Sequence, residues 1–156
     1  MASGVGLCSL RAMEIFAQRL HPDAVVPHVA HEGDAGCDLV AVESCTLRAG
    51  GGRGLVATGL AVAIPEGHGG FVLPRSGLAS RHGVTCANAP GLIDAGYRGE
   101  VKVALVNLDP EHDYQVEAGD RIAQLVVLKV ESPSFHLVDD LPPEQRGEGG
   151  FGSSGR

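Results

Sequence analysis

The stretch GLIDAGYRGE at positions 91–100 runs directly into VKVALVN at positions 101–107, and these two segments indicate the fold. In the second segment, apolar residues stand at alternate positions, as in a half-buried β-strand: Val101, Val103 and Leu105. The first segment sets a carboxylate, an aromatic ring and an arginine between glycines. It predicts a hairpin turn with Asp94 and Tyr97 at its lip, although by itself it also fits a turn in which these residues only shape the backbone.

Short apolar runs recur on both sides of this stretch and are separated by glycine and proline. They lie at 14–20, 55–56, 60–64, 71–73, 121–128 and 135–138. Runs this short, with turn residues about every 8–12 positions, predict an all-β sandwich or barrel rather than alternating strands and helices. The run at 121–128 is apolar on both faces apart from Arg121 and Gln124, so we expect it to be a central strand.

Length and composition favour a single loop-rich globular domain. The chain has 156 residues, of which 23 are glycine, with 44% hydrophobic and only 4% aromatic residues. A chain of this length can bury a core without disulfides or metals. The net charge of −7 argues against nucleic-acid binding through a broad basic surface, so a phosphate ligand would need local arginines.

The cysteines and the chain ends indicate cellular context and domain organisation. Cys8, Cys37, Cys45 and Cys86 form no C-x-x-C pair and have no histidine at zinc-finger spacing, so we expect reduced thiols in a cytoplasmic protein. The sequence offers neither a signal peptide nor a membrane-spanning run. We expect a disordered extension at 1–12, a single β domain at 13–138 and a flexible tail at 139–156.

Two polar features lie between the apolar runs at 14–20 and 55–56. His28 and His31 have a spacing that could share a metal on a helix, but Pro27 and Gly33 make a helix improbable, so solvated loop histidines are favoured. Asp38 begins an apolar run and is therefore expected at the start of a strand. Taken alone, it fits an ordinary turn aspartate.

The segment at 74–83 predicts a short helix. Pro74 ends a strand, Ser76 is expected to cap the helix, and Gly83 suits the position just beyond its end. A helix start beside the Arg75 guanidinium favours an anion. A capped connector helix with a surface arginine explains the same residues about as well.

Two amides and the tail are open to more than one interpretation. Asn88 can recognise a base edge or close the turn, and Gln124, expected to be buried, can be a structural hydrogen bonder or a ligand contact. The glycine-rich residues 146–155 fit either an idle tail or a lid over phosphate.

Five short motifs in this order resemble those of the trimeric deoxyuridine triphosphatases. They stand at 34–41, 74–79, 91–99, 119–124 and 146–155. The resemblance implies a jelly-roll β fold, a homotrimer whose sites are shared between subunits, magnesium, and hydrolysis of dUTP to dUMP and pyrophosphate. Such an activity would limit uracil incorporation into DNA and supply dUMP for thymidylate synthesis.

By position, the resemblance also implies individual roles. Asp94 would activate the attacking water and Asp38 would support magnesium through water. The phosphates would be bound by Arg75, Ser76, Gly77 and Gln124. Uracil would be read by Asn88 and by the backbone around Leu92, Ile93 and Lys102, while Tyr97 would pack on the deoxyribose. The tail would close the site through Arg146, Phe151 and Ser153.

Two other functions are weighed against this one. The deoxycytidine triphosphate deaminases are similar in fold and phosphate motif, but Gly77 and Tyr97 depart from the serine and the hydroxyl-free aromatic common there. A trimer that only binds nucleotide or protein would have no need of the carboxylate of Asp94.

Overall fold

The computed structural model describes residues 13–31 and 33–142, which form ten strands and one short helix. The elements are β1 (Phe16–Arg19), β2 (Cys37–Val40), β3 (Cys45–Leu47), β4 (Arg53–Ala63), β5 (His68–Leu73), α1 (Ser76–His82), β6 (Val84–Cys86), β7 (Gly91–Ile93), β8 (Glu100–Asn107), β9 (Tyr114–Val116) and β10 (Arg121–Lys129).

The strands form two four-stranded sheets and one small sheet, and every pairing is antiparallel. One large sheet has the order β1-β4-β8-β6, the other has the order β2-β10-β5-β7, and β3 pairs with β9. The fold is an all-β jelly roll, as expected. The central position predicted for the strand at 121–128 is confirmed, because β10 lies between β2 and β5.

The apolar core lies between the two large sheets. The alternation predicted for β8 is confirmed, since the side chains of Val101, Val103 and Leu105 are at most 3% exposed. They pack in one cluster with Leu39 and Ile122 of the opposite sheet. The intervening residues of β8 therefore face outward.

The structure corrects the predicted hairpin at 91–99. Strand β7 pairs with β5, whereas β8 pairs with β4 and β6, so the segment connects the two sheets instead of joining two paired strands. The prediction of a turn within 91–99 is correct. Which strand each flank would pair with depends on contacts distant in sequence, so the turn signal alone did not reveal it.

Three other predictions about helices and strands differ from the structure. The runs at 55–56 and 60–64 belong to one strand, β4, with a register shift between Ala57 and Ala61. Ser76 is the first helical residue and Arg75 holds the cap position, with no side-chain capping bond. The strand predicted at 135–138 is absent: these residues have no regular secondary structure, and Phe135 is 91% exposed. Apolar content made that run resemble a strand, but within the described residues no neighbouring strand pairs with it.

No helix within residues 13–31 and 33–142 is long and apolar enough to cross a membrane. The thiols of Cys37, Cys45 and Cys86 are free. Burial raises the pKa of the Cys86 thiol, which favours the neutral and unreactive form.

Candidate functional site

An open cavity of about 540 Å³ lies beside β7, at the edge of its sheet. Six residues singled out from the sequence line it: Asn88, Leu92, Ile93, Asp94, Tyr97 and Lys102. The other lining residues are Leu55, Val72, Gly91, Glu100, Val101 and Ala104. We call this the edge cavity. Its volume falls within the range of small-molecule sites, and its lining combines apolar side chains with a few polar groups.

A tight turn presents Asp94 at the rim of the edge cavity. The Tyr97 amide donates to the Asp94 carbonyl at 3.0 Å and closes the turn. Arg98 stabilises the same turn, because its Nη1 donates to the carbonyls of Ala95 and Tyr97 at 2.6 and 2.7 Å. Asp94 is exposed and makes no ion pair with any described residue. These bonds fix the backbone of the turn, while the Asp94 carboxylate itself has no side-chain partner among the described residues.

The phenol of Tyr97 is fixed across the same turn. Its hydroxyl donates to the Glu100 carbonyl at 2.9 Å. A Cβ at Gly99 would lie 2.5 Å from the tyrosine hydroxyl oxygen, so a larger residue there would displace the ring. The glycine predicted as a turn former is therefore also required for the position of the aromatic side chain.

Asn88 lies at the other end of the edge cavity, against the start of β7. A Cβ at Gly91 would sit 3.2 Å from Asn88 Nδ2 and 3.3 Å from Val72 Cβ. The absence of a side chain at Gly91 lets the amide approach the strand backbone. Because β7 is paired only with β5 in the described chain, its other side offers further backbone donors and acceptors.

Sequence reasoning missed half of the lining, most notably Glu100. Alternation could have found it, because positions 100, 102 and 104 face outward when 101, 103 and 105 face the core. No local signal marks Leu55, which joins the cavity because β4 pairs with β8 in a register that sets Leu55 opposite Ala104.

A second group of polar residues lies where β2, β5 and β10 come together. Asp38 Oδ1 is 3.2 Å from Arg75 Nε and Asp38 Oδ2 is 3.1 Å from Arg121 Nη1. Arg75 Nη1 also donates to the Arg121 carbonyl at 2.9 Å. We call Asp38, Arg75 and Arg121 the arginine cluster. The sequence predicted the first two as site residues, whereas Arg121 was noted only as a polar exception in the apolar run at 121–128.

The remaining predicted phosphate ligands surround the arginine cluster. Ser76 and Gly77 follow Arg75 as the first two residues of α1. Gln124 on β10 pairs in register with Asp38 on one side and with Leu73 on the other. The side chain is half-buried rather than buried as expected, because Gln124 faces the open side of the sheet next to Gly36.

Within the edge cavity, Asp94 lies toward the end of β5 that is opposite to the arginine cluster. Arg75 comes two residues after Leu73, the last residue of β5, whereas Ile93 pairs with Gly70 near its start. Since β7 runs antiparallel to β5, Asp94 is level with the beginning of that strand. At no more than about 3.3 Å per residue, these two levels are separated by up to roughly 20 Å.

Metal ligands and the tail complete the set of predicted residues. His28 is exposed, and among residues 13–31 and 33–142 no three His, Cys, Asp or Glu side chains come together as a metal site. The buried Asp38 Oδ1 has no aligned hydrogen-bond donor in this part of the chain, despite the nearby Arg75. Arg146, Phe151 and Ser153 lie outside the described residues.

Comparison with known proteins identifies one family for the chain. The family model described as dUTPase matches residues 23–155. The chain is 55% identical over 143 residues to the deoxyuridine 5'-triphosphate nucleotidohydrolase of Thermobifida fusca, covering 92% of this chain and 79% of that protein.

Solved structures of dUTPases are similar to this structure. The dUTPase of Staphylococcus bacteriophage 80alpha with dUPNHPP is similar at a TM-score of 0.86 and 29% identity, over 93% of this chain and 100% of that one. A mutant dUTPase of the S. aureus phage phi11, described with a structural Mg(II) ion, is similar at a TM-score of 0.76 and 26% identity, over 84% and 100%.

Proposed function

The chain belongs to the dUTPase family and is a dUTP diphosphatase, and we propose that the edge cavity and the arginine cluster bind the two ends of dUTP in a site shared between copies of the chain. The observation that carries this proposal is the placement of Asn88, Asp94 and Tyr97 on one cavity. These residues would meet the base, the attacking water and the sugar.

The inner part of the edge cavity suits the polar edge of uracil. The Asn88 amide offers both a donor and an acceptor, and the unpaired side of β7 offers backbone groups at Leu92 and Ile93. The backbone near Lys102 would complete the set. A site that hydrogen-bonds its ligand in this way rejects an analogue with a different donor and acceptor pattern, because buried groups are left without partners.

Tyr97 would form the wall that contacts the sugar. Its ring is fixed by the bond from its hydroxyl to Glu100, so it is placed before any ligand arrives. A rigid aromatic face packs well on a deoxyribose ring, and it would clash with a hydroxyl at the 2′ position. This would separate deoxyribonucleotides from ribonucleotides.

Asp94 would act as the general base. The carboxylate accepts a proton from water, the water oxygen forms a bond to the α-phosphorus, and the bond from the α-phosphorus to the bridging oxygen breaks. Pyrophosphate leaves with the bonding electron pair and dUMP remains. A positioned base of this kind contributes roughly 10² to 10⁴ in rate.

The arginine cluster would bind the phosphates. Arg75 presents a guanidinium that Asp38 and the Arg121 carbonyl already orient, so less order is lost when an anion binds. Ser76, Gly77 and Gln124 lie beside it and would add a hydroxyl, a backbone N–H and an amide. In phosphoryl transfer such positioning and charge stabilisation supply most of the catalysis.

The donor set fits magnesium in a supporting role. Asp38 would hold it indirectly, because a metal-bound water would give Oδ1 the aligned donor that it lacks. Magnesium keeps several waters and binds mostly to substrate phosphates. When bound, it would neutralise charge on the triphosphate oxygens.

The spacing along β5 supports a site that is shared with a second copy of the chain. Within one chain the backbone positions of Asp94 and Arg75 are up to roughly 20 Å apart along this direction, which does not favour their acting together at one α-phosphate. A homotrimer in which Asp94 of one subunit meets Arg75 of the next would bring them together. The tail, with Arg146, Phe151 and Ser153, would close over this composite site, and the product would serve thymidylate synthesis while dUTP is kept out of DNA.

A nucleotide panel tests the proposed function. The purified chain is incubated with dUTP, dCTP, dTTP and UTP, with and without magnesium, and pyrophosphate and ammonia are measured. We expect pyrophosphate from dUTP alone and a loss of rate without magnesium. Ammonia from dCTP, or equal cleavage of all four nucleotides, would contradict the proposal.

A further inference from the structure

Glu100, which sequence reasoning missed, makes three contacts at the wall of the edge cavity. Its Oε1 accepts a hydrogen bond from the Gly59 amide at 2.9 Å, and its Oε2 lies 3.3 Å from Lys102 Nζ. Its backbone carbonyl accepts the Tyr97 hydroxyl at 2.9 Å. The side chain is only 24% exposed. A single residue thus joins strand β4, a lysine of the cavity and the tyrosine of its wall.

The contact with Gly59 replaces a missing ladder bond. The register between β4 and β8 shifts between Ala57 and Ala61, and Gly59 within this irregularity has a φ of 65°. An amide turned out of the ladder in this way needs another acceptor when it is buried. The carboxylate of Glu100 supplies it, and the Gly59 carbonyl is bonded in turn by the Leu20 amide at 2.7 Å.

Both carboxylate oxygens of Glu100 are therefore engaged, which restricts the rotation of its side chain and of the backbone that carries it. That backbone includes the carbonyl to which Tyr97 is bonded. We propose that Glu100 is a positioning residue that holds the Tyr97 phenol in place and thereby increases the preference for deoxyribonucleotides over ribonucleotides. This inference rests on the proposed function, in which Tyr97 meets the sugar.

The chain offers a matched control for this role. Glu43 Oε1 also accepts from an amide of β4, that of Ala57, at 3.3 Å. Glu43 is not among the residues that line the edge cavity. Removing its side chain tests the loss of an acceptor for a β4 amide without any change at Tyr97.

The experiment compares kcat/KM for dUTP and for UTP in the full-length enzyme. We expect Glu100→Ala to lower the ratio of the two values about two- to tenfold, the worth of one hydrogen bond. Tyr97→Phe should lower it by a similar factor, and the double variant should lower it no further, because the Glu100 side chain acts only through the carbonyl that accepts the Tyr97 hydroxyl. Glu100→Gln keeps an acceptor for Gly59 and should retain most of the ratio, while Glu43→Ala should match the wild type.

If Glu100→Ala does not fold, the same measurement is made on Glu100→Asp. It keeps the charge but is one methylene too short to reach Gly59, so its ratio should also fall. An unchanged ratio in the folded Glu100 variants, or effects of Glu100→Ala and Tyr97→Phe that add, would overturn the inference. A wild-type enzyme that releases no pyrophosphate from dUTP would instead refute the proposed function.

Discussion

The edge cavity and the arginine cluster are built in opposite ways. Most of the edge cavity comes from one continuous segment between Asn88 and Ala104, and its shape is held by backbone turns and glycines. The arginine cluster joins residues 38, 75 and 121, which only the sheet register brings together, and its charges are already paired.

The two regions also differ in how their charged side chains are paired. At the rim of the edge cavity, Asp94 makes no ion pair with any residue of the described chain. In the arginine cluster, Asp38 is 21% exposed and holds two guanidiniums that would otherwise repel each other. We therefore expect the first region to select the ligand by shape and hydrogen bonds, and the second to bind an anion.

The largest expected effect concerns the base specificity of the edge cavity. We expect kcat/KM for dCTP to be about 10⁴ to 10⁵ lower than for dUTP, because cytosine mismatches the donors and acceptors built to pair with uracil. Rejection of dTTP must be steric, since thymine keeps that pattern. Steady-state rates of pyrophosphate release measure both. Efficient dCTP cleavage would show that the cavity does not select the base.

Replacing the rim carboxylate should stop the chemistry but not binding. We expect Asp94→Asn to lower kcat about 100-fold or more, because an amide cannot take the proton from water. Calorimetric titration with a non-hydrolysable dUTP analogue should show nearly unchanged affinity. Asp23→Asn, an exposed aspartate in a turn outside both regions, serves as the control. Near-normal turnover in Asp94→Asn would refute its role as the base.

Mixing two inactive chains tests whether the two regions act across subunits. After denaturation and refolding together, Asp94→Asn and Arg75→Ala chains should form oligomers in which about one quarter of the sites are intact, as random pairing of two unlike subunits predicts. The activity should therefore rise well above that of either variant. Absence of recovery despite proven subunit exchange would mean that both residues serve the same site from one chain.

A smaller effect should separate the arginine cluster from the edge cavity. Arg75→Lys keeps the charge but cannot reproduce the contacts with Asp38 and Arg121 together. We expect a loss of about tenfold in kcat/KM for dUTP, with the affinity for deoxyuridine, which has no phosphate, unchanged. Arg48→Lys, at an exposed ion pair with Asp113, is the matched control. A parallel loss of deoxyuridine binding would show that the two regions are not independent.

The smallest effect belongs to a turn outside both regions. The pKa of Asp109 lies below its ordinary value because the amides of Glu111 and His112 donate to its carboxylate. The carboxylate therefore stabilises the fold above its unfolded-state pKa of about 3.9, and this stability is lost as the pH falls through the lower folded-state pKa.

Asp109→Asn should accordingly lower the melting temperature at neutral pH, and its difference from the wild type should shrink below about pH 4. Thermal unfolding at several pH values measures this, and kcat/KM should not change. A difference that is independent of pH would show that the charge of Asp109 does not contribute.

Predictions from the sequence were most reliable where the signal is local. The inward face of β8, the central place of β10, the short helix at α1 and the grouping of Asp94 and Tyr97 each follow from alternation or turn residues within a few positions. Predictions that required a pairing partner were less reliable. The segment at 91–99 joins two sheets, and the apolar run at 135–138 forms no strand in the described chain.

By itself, the sequence identified the side chains that we propose to carry the chemistry, because a carboxylate, a phenol, an amide and an arginine can be read from their residue types. Only the tertiary structure decided how they are arranged. It set Glu100 beneath Tyr97, joined Arg121 to Asp38 and placed Asp94 far from Arg75 along β5. The physical reason is that strand register is settled by burial and hydrogen bonding between segments far apart in the chain, where short-range patterns carry no information.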